Sequence, residues 1–329
     1  MTTLRAGLIG HGTMGRNHAR VLSDLDGVDI VGVVDPDAKN AHIPVYDDLD
    51  TLLARGIDYC VVAVPTFEHE GVGLRLAEAG VHALIEKPLA HDTSSALRLV
   101  EAFEQADLVG AVGHIERFNP ALQQARRRMA NGDLGEILQI TTRRQGPFPA
   151  RIADVGVVKD LATHDIDLTA WIAQSDFVSV AAQVAHRSGR EHEDLVSVVG
   201  QLGDGTITNH TVNWLSPFKE RMTVITGEKG AFVADTLHAD LTFFANGVVA
   251  TQWDDVARFR GVSEGDVVRF AIPKPEPLKT EHENMRDAIL GLDSDIVTLR
   301  SGLQAVVVAE AILTSADANA TMLVAEAQQ

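Results

Sequence analysis

One cysteine, Cys60, stands in 329 residues. A single thiol makes no intrachain disulfide and no cysteine-rich zinc centre, so the chain suits a reducing, cytoplasmic setting. Cys60 falls inside the apolar run Tyr59–Val64, where a free cysteine behaves as a small buried hydrophobe. Basic residues are scarce as well: 28 Lys and Arg against 46 Asp and Glu leave a formal charge of −18. Nucleic-acid backbones and anionic membranes need clustered cations to displace their counterions, so no nucleic acid and no membrane is expected as a partner. Arg126-Arg127-Arg128 is too short for a recognition helix and reads as a solvated helix face. No apolar stretch approaches the roughly 20 residues that span a bilayer. The opening MTTLRAGLIG runs straight into a glycine motif and reads as a strand, not a leader. Histidines such as His186 and His192 lack ligand-like spacing, so no metal is expected.

What is present divides the chain by period. At about 150 residues per domain the length suggests two domains. The first 115 or so residues alternate short, nearly continuous apolar runs (Leu4–Ile9, Ile30–Val34, Cys60–Val64, Val81–Ile85, Leu108–Val112) with helical patterns (Met14–Leu25, Leu49–Arg55, Glu68–Ala79, Ser94–Gln105). Such runs are strands buried on both faces of a parallel sheet, and the alternation predicts a doubly wound, Rossmann-type α/β domain over 1–118. Asn119 as N-cap and Pro120 in the first turn then open a helix to about Asn131. Beyond it, alternating runs at Ile137–Arg143, Val178–His186, Leu195–Leu202, Thr206–Trp214, Met222–Thr226 and Leu241–Phe244 predict a largely antiparallel open sheet. One helix is inserted near 158–173 and two more fall near 280–291 and 300–316. This is an α+β domain over 119–329, expected to bind substrate and to oligomerise. Val178, Val180, Ala182 and Val184 form an apolar stripe that fits either a core or a homodimer or homotetramer contact.

Gly10-His11-Gly12-Thr13-Met14-Gly15 matches G-x-G-x-x-G between a strand and a helix. Gly10 permits the tight turn, Gly12 lets the backbone approach a pyrophosphate, and Gly15 lets helix and strand pack closely, with Thr13 and Met14 at the helix start. The helix end offers unpaired N–H groups and a positive dipole to phosphates. Asp35, 20 residues after Gly15, suits the adenosine ribose hydroxyls and repels an extra phosphate. NAD is therefore favoured as cofactor, and Lys39 keeps NADP open. Pro65, Thr66 and His69 follow the third run at the sheet's carboxyl edge, as cofactor neighbours or, for Thr66, as a helix cap.

Glu86-Lys87-Pro88 lies at the same edge, where a fixed backbone would let a lysine meet cofactor and substrate together. Asp160, His164 and Asp167 share one face of the predicted helix, beside an apolar face of Leu161, Leu168 and Ile172. A histidine between carboxylates suits acid–base work on an alcohol, and a structural Asp–His pair is the alternative. Arg143, Arg144 and Arg151 cluster ahead of that helix, where guanidinium groups suit a diphosphate or merely offset acidic neighbours. Arg117 and Asn119 reach either the substrate or the domain junction.

Four segments together resemble the Gfo/Idh/MocA oxidoreductase family over essentially the whole chain: GHGTMGRNH at 10–18, PTFEHE at 65–70, AGVHALIEKPLA at 79–90 and DLATHDID at 160–167. The resemblance implies NAD(P)-dependent hydride transfer to or from a sugar, inositol or related carbonyl. It makes Lys87, Asp160 and His164 the catalytic trio and adds Glu86 to the cofactor-side residues. GHIERFNPA at 113–121 and the segment 143–168 look like the branch acting on nucleotide sugars such as UDP-N-acetylglucosamine, with Lys87, Arg117, Asn119, Arg144, Arg151, Asp160 and His164 toward the substrate. A dehydrogenase of inositol or a free sugar, and a non-catalytic NAD-binding sensor, are the competing readings; proton-transfer groups argue against the sensor.

Overall fold

The computed structural model describes residues 3–38, 42–149, 155–247 and 264–324. They form two compact units, one built mainly from Met1–Ile115 and Pro275–Glu310, the other from Glu116–Lys274 and Ala311–Glu326.

The first unit follows the apolar period. Strands β1 (Leu4–Ile9), β2 (Val28–Val34), β3 (Val45–Tyr46), β4 (Tyr59–Val62), β5 (His82–Ile85) and β6 (Gly110–Val112) make one sheet in the order β3-β2-β1-β4-β5-β6. Every pairing in it is parallel. Helices α1 (Thr13–Ser23), α2 (Leu49–Leu53), α3 (His69–Glu78) and α4 (Thr93–Gln105) are the crossovers. The strand order reverses between β1 and β4, so the chain ends that follow them open a crevice at the carboxyl edge. The core is Leu4, Ala6 and Leu8 of β1, Leu22 of α1, Tyr59 and Val61 of β4 and Leu84 of β5. Each large side chain among them contributes about 1.5–3 kcal/mol by leaving water. Cys60 is fully buried, and burial pushes its thiol far above the ordinary range, so it is a core residue.

A distant segment completes this unit. Helix α7 (Pro277–Ile289; α5, Pro120–Ala130, and α6, Thr163–Ala173, lie in the second unit) packs with α1 and adds Met285 to the same core. Its buried face is Leu278, Glu281, His282 and Met285, spaced as one helix stripe. Two of those four are polar, so the stripe demands polar partners as well as an apolar floor. The first part of α8 (Leu299–Ala318) also belongs here, as far as Glu310.

The second unit holds a nine-stranded sheet. Its strands are β7 (Ile137–Pro147), β8 (Phe177–Ala185), β9 (Leu195–Leu202), β10 (Ile207–Asn213), β11 (Leu215–Gly227), β12 (Gly230–Asp235), β13 (Asp240–Asn246), β14 (Glu264–Arg269) and β15 (Met322–Leu323). The order is β14-β13-β12-β11-β7-β10-β9-β8-β15, antiparallel except for β7 with β10. Helices α5 (Pro120–Ala130) and α6 (Thr163–Ala173) cover one face, through Leu122, Ala125, Leu168, Trp171 and Ile172 against Ile140, Ile225 and Phe232. The Asn119 side chain caps α5 as its sequence predicts, accepting from Ala121 N at 3.1 Å. Of the valine stripe, Val180 and Ala182 are buried and Val178 is exposed, so its middle serves the core. Exposed apolar side chains sit elsewhere, at Leu138, Val199, Ile207, Phe244 and Val267.

His210 of β10 is buried opposite Thr142 of β7, its Nδ1 2.8 Å from the threonine hydroxyl. Burial lowers its pKa to about 4. The unfolded ring takes its proton near 6.5, so unfolding is favoured increasingly as the pH falls from 6.5 toward 4. That difference corresponds to about 3 kcal/mol of stability present above pH 6.5 and lost by pH 4. Urea unfolding at both pH values should show His210→Gln losing about that much less than the native chain. Equal losses in the two proteins would remove the buried ring from the account.

Candidate functional site

The glycine loop occupies the carboxyl end of β1. Gly10 has φ +91°, a conformation that side-chain-bearing residues rarely adopt, and a Cβ there would strike the Ala63 carbonyl. A Cβ on Gly15 would strike the carbonyl of Gly10, so the first turn of α1 lies directly on the loop. Gly10 N–H donates to the Val34 carbonyl at 2.9 Å and fixes the loop to β2. The first turn of α1 has neither a side-chain cap nor an acidic residue. Gly12 and Thr13 are exposed, and Met14 is half-buried. Helix N–H groups left open in this way, with a positive dipole behind them, are a seat for phosphate. Asp35, half-buried at the end of β2, accepts from the backbone N–H groups of His11 (2.5 Å) and Asp37 (2.7 Å). Those bonds aim the carboxylate and leave it acceptor capacity for ribose hydroxyls. The cradle and the aimed acid fit a dinucleotide. Lys39 lies outside the described residues.

The same edge carries the other two loops. Pro65 is exposed and Thr66 half-buried, opening a short 3₁₀ turn over Thr66–Glu68 that no side chain caps. His69 is buried, with Nε2 3.1 Å from the Val64 carbonyl and Nδ1 3.0 Å from that of Pro88. Its ring lies between the two edge loops, against a carbonyl of each. Burial holds its pKa below the usual histidine range, against the pull of the carbonyls beside it. Lys87 is half-buried and its peptide bond to Pro88 is cis. The Glu86 carboxylate turns inward: Oε1 lies 2.9 Å from His18 Nε2, and Oε2 accepts the Lys87 N–H at 3.1 Å.

In the second unit the predicted polar helix begins as a π turn over Val158–Ala162 and continues as α6. Glu193 holds its start, accepting from Val158 N at 2.9 Å with its side chain and from Val157 N at 3.0 Å with its carbonyl. A π turn inserts one residue into the helical count, so residues after it no longer keep the regular spacing to Asp160. Asp160 is buried and His164 half-buried.

Arg143, Arg144 and Arg117 stand in ion pairs, one of the two readings open in the sequence. Arg144 is 3% exposed, its Nη1 2.8 Å from Glu116 Oε1 and its Nε 2.9 Å from Asp165 Oδ2. Burial pushes Glu116 up, but the Arg144 charge and hydrogen bond outweigh it and hold that carboxyl below its usual range. For Asp165 burial dominates, and its pKa is raised. Arg117 grips Asp167 with both arms, at 2.8 and 2.6 Å. Asn119 is buried and donates to the Thr236 carbonyl at 2.8 Å. Arg144, Arg117 and Asn119 thus tie the strands and loop to α6 and α5. Arg143 is exposed beside Glu220 at 3.3 Å, and Arg151 lies outside the described residues.

The sequence reading missed Glu116, Asp165 and Arg221 in this cluster. Arg221 of β11 stands opposite Arg144 of β7 in register, and its buried Nη1 has no hydrogen-bond partner among the described residues. Alternation along β7 and β11 was the available signal, since it puts two facing guanidinium groups on the helix-covered side. Among the described residues no cluster of three metal-ligating side chains occurs, and no helix is long and apolar enough to cross a membrane.

Residues 4–114 match the family model of the Gfo/Idh/MocA oxidoreductases, an NAD-binding Rossmann fold, and 122–233 match the C-terminal domain of the same family. A UDP-N-acetylglucosamine 3-dehydrogenase from Acidithiobacillus ferrooxidans is 33% identical over 216 residues, 64% of this chain and 66% of that protein. An inositol 2-dehydrogenase from Corynebacterium glutamicum is 30% identical over 226 residues, 64% of this chain and 67% of that one. A solved structure of the A. ferrooxidans enzyme superposes with a TM-score of 0.85 at 26% identity, covering 97% of this chain and 99% of that one. With both family domains matched in order, and the glycine loop and EKP edge built as described, the chain belongs to the Gfo/Idh/MocA oxidoreductase family.

Proposed function

We propose that this chain is an NAD-dependent dehydrogenase that oxidises a secondary hydroxyl of a nucleotide sugar, UDP-N-acetylglucosamine at C3 being the favoured substrate. One observation carries the chemistry: a phosphate-ready helix end and a half-buried lysine stand on the same carboxyl edge of one parallel sheet. Gly10, Gly12, Thr13, Met14 and Gly15 would seat the pyrophosphate, Asp35 the adenosine ribose, and Pro65 and Thr66 the remaining cofactor side. Bound NAD supplies the hydride acceptor. His164 takes the hydroxyl proton, the Lys87 ammonium polarises the same oxygen, and Asp160 balances charge at the substrate. The choice of a nucleotide sugar rests on the resemblance of 113–121 and 143–168 and on the relative that is 33% identical. Inositol is the second reading, favoured by the relative that is 30% identical. The exposed apolar side chains of the nine-stranded sheet suit self-association as a homodimer or homotetramer.

The test is a panel of UDP-N-acetylglucosamine, UDP-glucose, myo-inositol and glucose, each with NAD⁺ and NADP⁺, read by reduced-nicotinamide absorbance and by mass spectrometry of the keto product. Turnover confined to a UDP-sugar with NAD⁺ is the expected result. Turnover of myo-inositol alone replaces the favoured substrate with the second reading, and tight NAD binding with no turnover of any alcohol or ketone supports a sensor.

A further inference from the structure

We propose that Arg221 is a substrate-binding residue that donates to the acetamido carbonyl at C2 of the sugar, and so selects an N-acetylated hexose over glucose or inositol; this rests on reading Asp160 and His164 as the groups at C3. The observation behind it is a guanidinium that the fold encloses and leaves unused. Arg221 is half-buried, its buried Nη1 has no hydrogen-bond partner, and its side chain makes no hydrogen bond or ion pair among the described residues. Arg144, Arg117 and Arg143 of the same unit each hold a carboxylate. A guanidinium offers several N–H donors in a fixed fork, and an enclosed donor without an acceptor is costly, so an acceptor from outside the chain is the natural complement.

Strand register puts the arginine there. Arg221, Thr223 and Ile225 of β11 face Arg144, Thr142 and Ile140 of β7 across the ladder. Ile140 and Ile225 lie in the core with residues of α5 and α6, so a period of two brings both guanidinium groups to the helix-covered side. The main chain of Arg221 is anchored, because its carbonyl accepts from Thr236 N at 2.9 Å. Arg144 is already engaged, by Glu116 at 2.8 Å and Asp165 at 2.9 Å. Burial and the Arg144 charge lower the pKa of Arg221, and the charges of Glu116, Asp165 and Asp160 act against them. Asp160 is thus near enough for its charge to be felt, yet no hydrogen bond or ion pair joins it to Arg221.

The charges around Arg221 select the kind of acceptor. Two guanidinium groups, Arg144 and Arg221, face three carboxyl groups, Glu116, Asp165 and Asp160. No positive charge is in surplus, so a substrate carboxylate or phosphate would bring one more anion among carboxylates. What Arg221 lacks is an acceptor and not a counter-charge, and a neutral amide carbonyl supplies one. In an N-acetylhexosamine that carbonyl hangs from C2, the neighbour of the carbon whose hydroxyl the proposed reaction oxidises. Glucose and inositol carry only a hydroxyl at the neighbouring carbon. A site built to hydrogen-bond a substrate group rejects the analogue that lacks it, because its own enclosed donor is then left unpaired.

The test compares kcat/KM for UDP-N-acetylglucosamine and UDP-glucose, with NAD⁺, in the native protein and in Arg221→Met. The native protein should favour the N-acetylated sugar. Arg221→Met removes every donor while keeping an apolar stem of similar reach. It should lose about 10–100-fold on UDP-N-acetylglucosamine, the worth of one hydrogen bond from a charged donor, and no more than about three-fold on UDP-glucose. Arg221→Lys keeps the charge without the fork and should fall between. UDP-N-trifluoroacetylglucosamine, whose carbonyl is a poorer acceptor, probes the same bond in the native protein. Its KM should exceed that of the natural substrate there, and the difference should vanish in Arg221→Lys or Arg221→Met. Thermal unfolding shows which variants are folded, and Arg221→Lys with the fluorinated sugar decides the matter if Arg221→Met is not. Equal losses on both UDP-sugars, leaving their ratio at the native value, overturn the proposal and make Arg221 a structural residue. Native turnover of myo-inositol and of no UDP-sugar instead overturns the favoured substrate, and the role of Arg221 falls with it.

Discussion

Replacing His164 with alanine is expected to lower turnover by about 10²–10⁴-fold, the contribution of a positioned general acid–base group. NAD affinity should be unchanged, because every group assigned to the dinucleotide lies in the first unit and His164 lies in the second. The expectation of a large effect rests on how firmly this segment is held. Glu193 caps its start, Arg144 holds Asp165 and Arg117 holds Asp167, so the residues either side of His164 are fixed from three directions. A side chain on such a base loses little freedom on reaching its reacting geometry. Lys87→Met should depress turnover similarly. If both groups act on one oxygen, the double variant will be little worse than the more damaging single variant, since residues working as a unit are not additive. Steady-state kinetics with the true substrate and calorimetric NAD titration supply both numbers. Turnover surviving His164→Ala within a few-fold would remove the histidine from the chemistry, and additive losses would separate it from Lys87.

The parallel sheet was readable from sequence because its strands are buried on both faces, so uninterrupted apolar runs such as Tyr59–Val62 mark themselves. The glycine loop was readable because backbone sterics at Gly10 and Gly15 tolerate no side chain. Strands β12 and β14 were not predicted, and neither was the return of α7 to the first unit. Alternation says that a strand has two faces without saying what it pairs with, and β7 illustrates this by pairing parallel with β10 and antiparallel with β11. Helix α7 shows only a stripe of Leu278, Glu281, His282 and Met285, and nothing local reveals that His18, 264 residues away, is its partner. The arginines stayed open between two readings for a related reason. A guanidinium beside an acidic helix serves an ion pair or an anionic ligand equally well in sequence, and only burial separates the two.

Arg144 is where that distinction becomes measurable. Arg144→Met should destabilise the protein by about 3–5 kcal/mol, because it leaves Glu116 and Asp165 buried without their cation. The cost lies in the orphaned carboxylates more than in the lost attraction. Replacing all three together, with Glu116→Gln and Asp165→Asn added to Arg144→Met, should therefore recover a large part of the loss. Arg144→Lys should fall between, since an ammonium keeps the charge but cannot reach both carboxylates with a planar fork. A residue that gripped a substrate diphosphate would behave differently. Its loss would raise KM for the nucleotide sugar and leave urea unfolding unchanged. Denaturation and kinetics on the same variants separate the two roles, and a normal unfolding midpoint with a raised KM in Arg144→Met would return this arginine to the substrate. The structure favours the other outcome on one ground: at 3% exposure the guanidinium is shielded from solvent on a helix-covered face, and a phosphate reaching it would have to displace the helix that its partner Asp165 anchors.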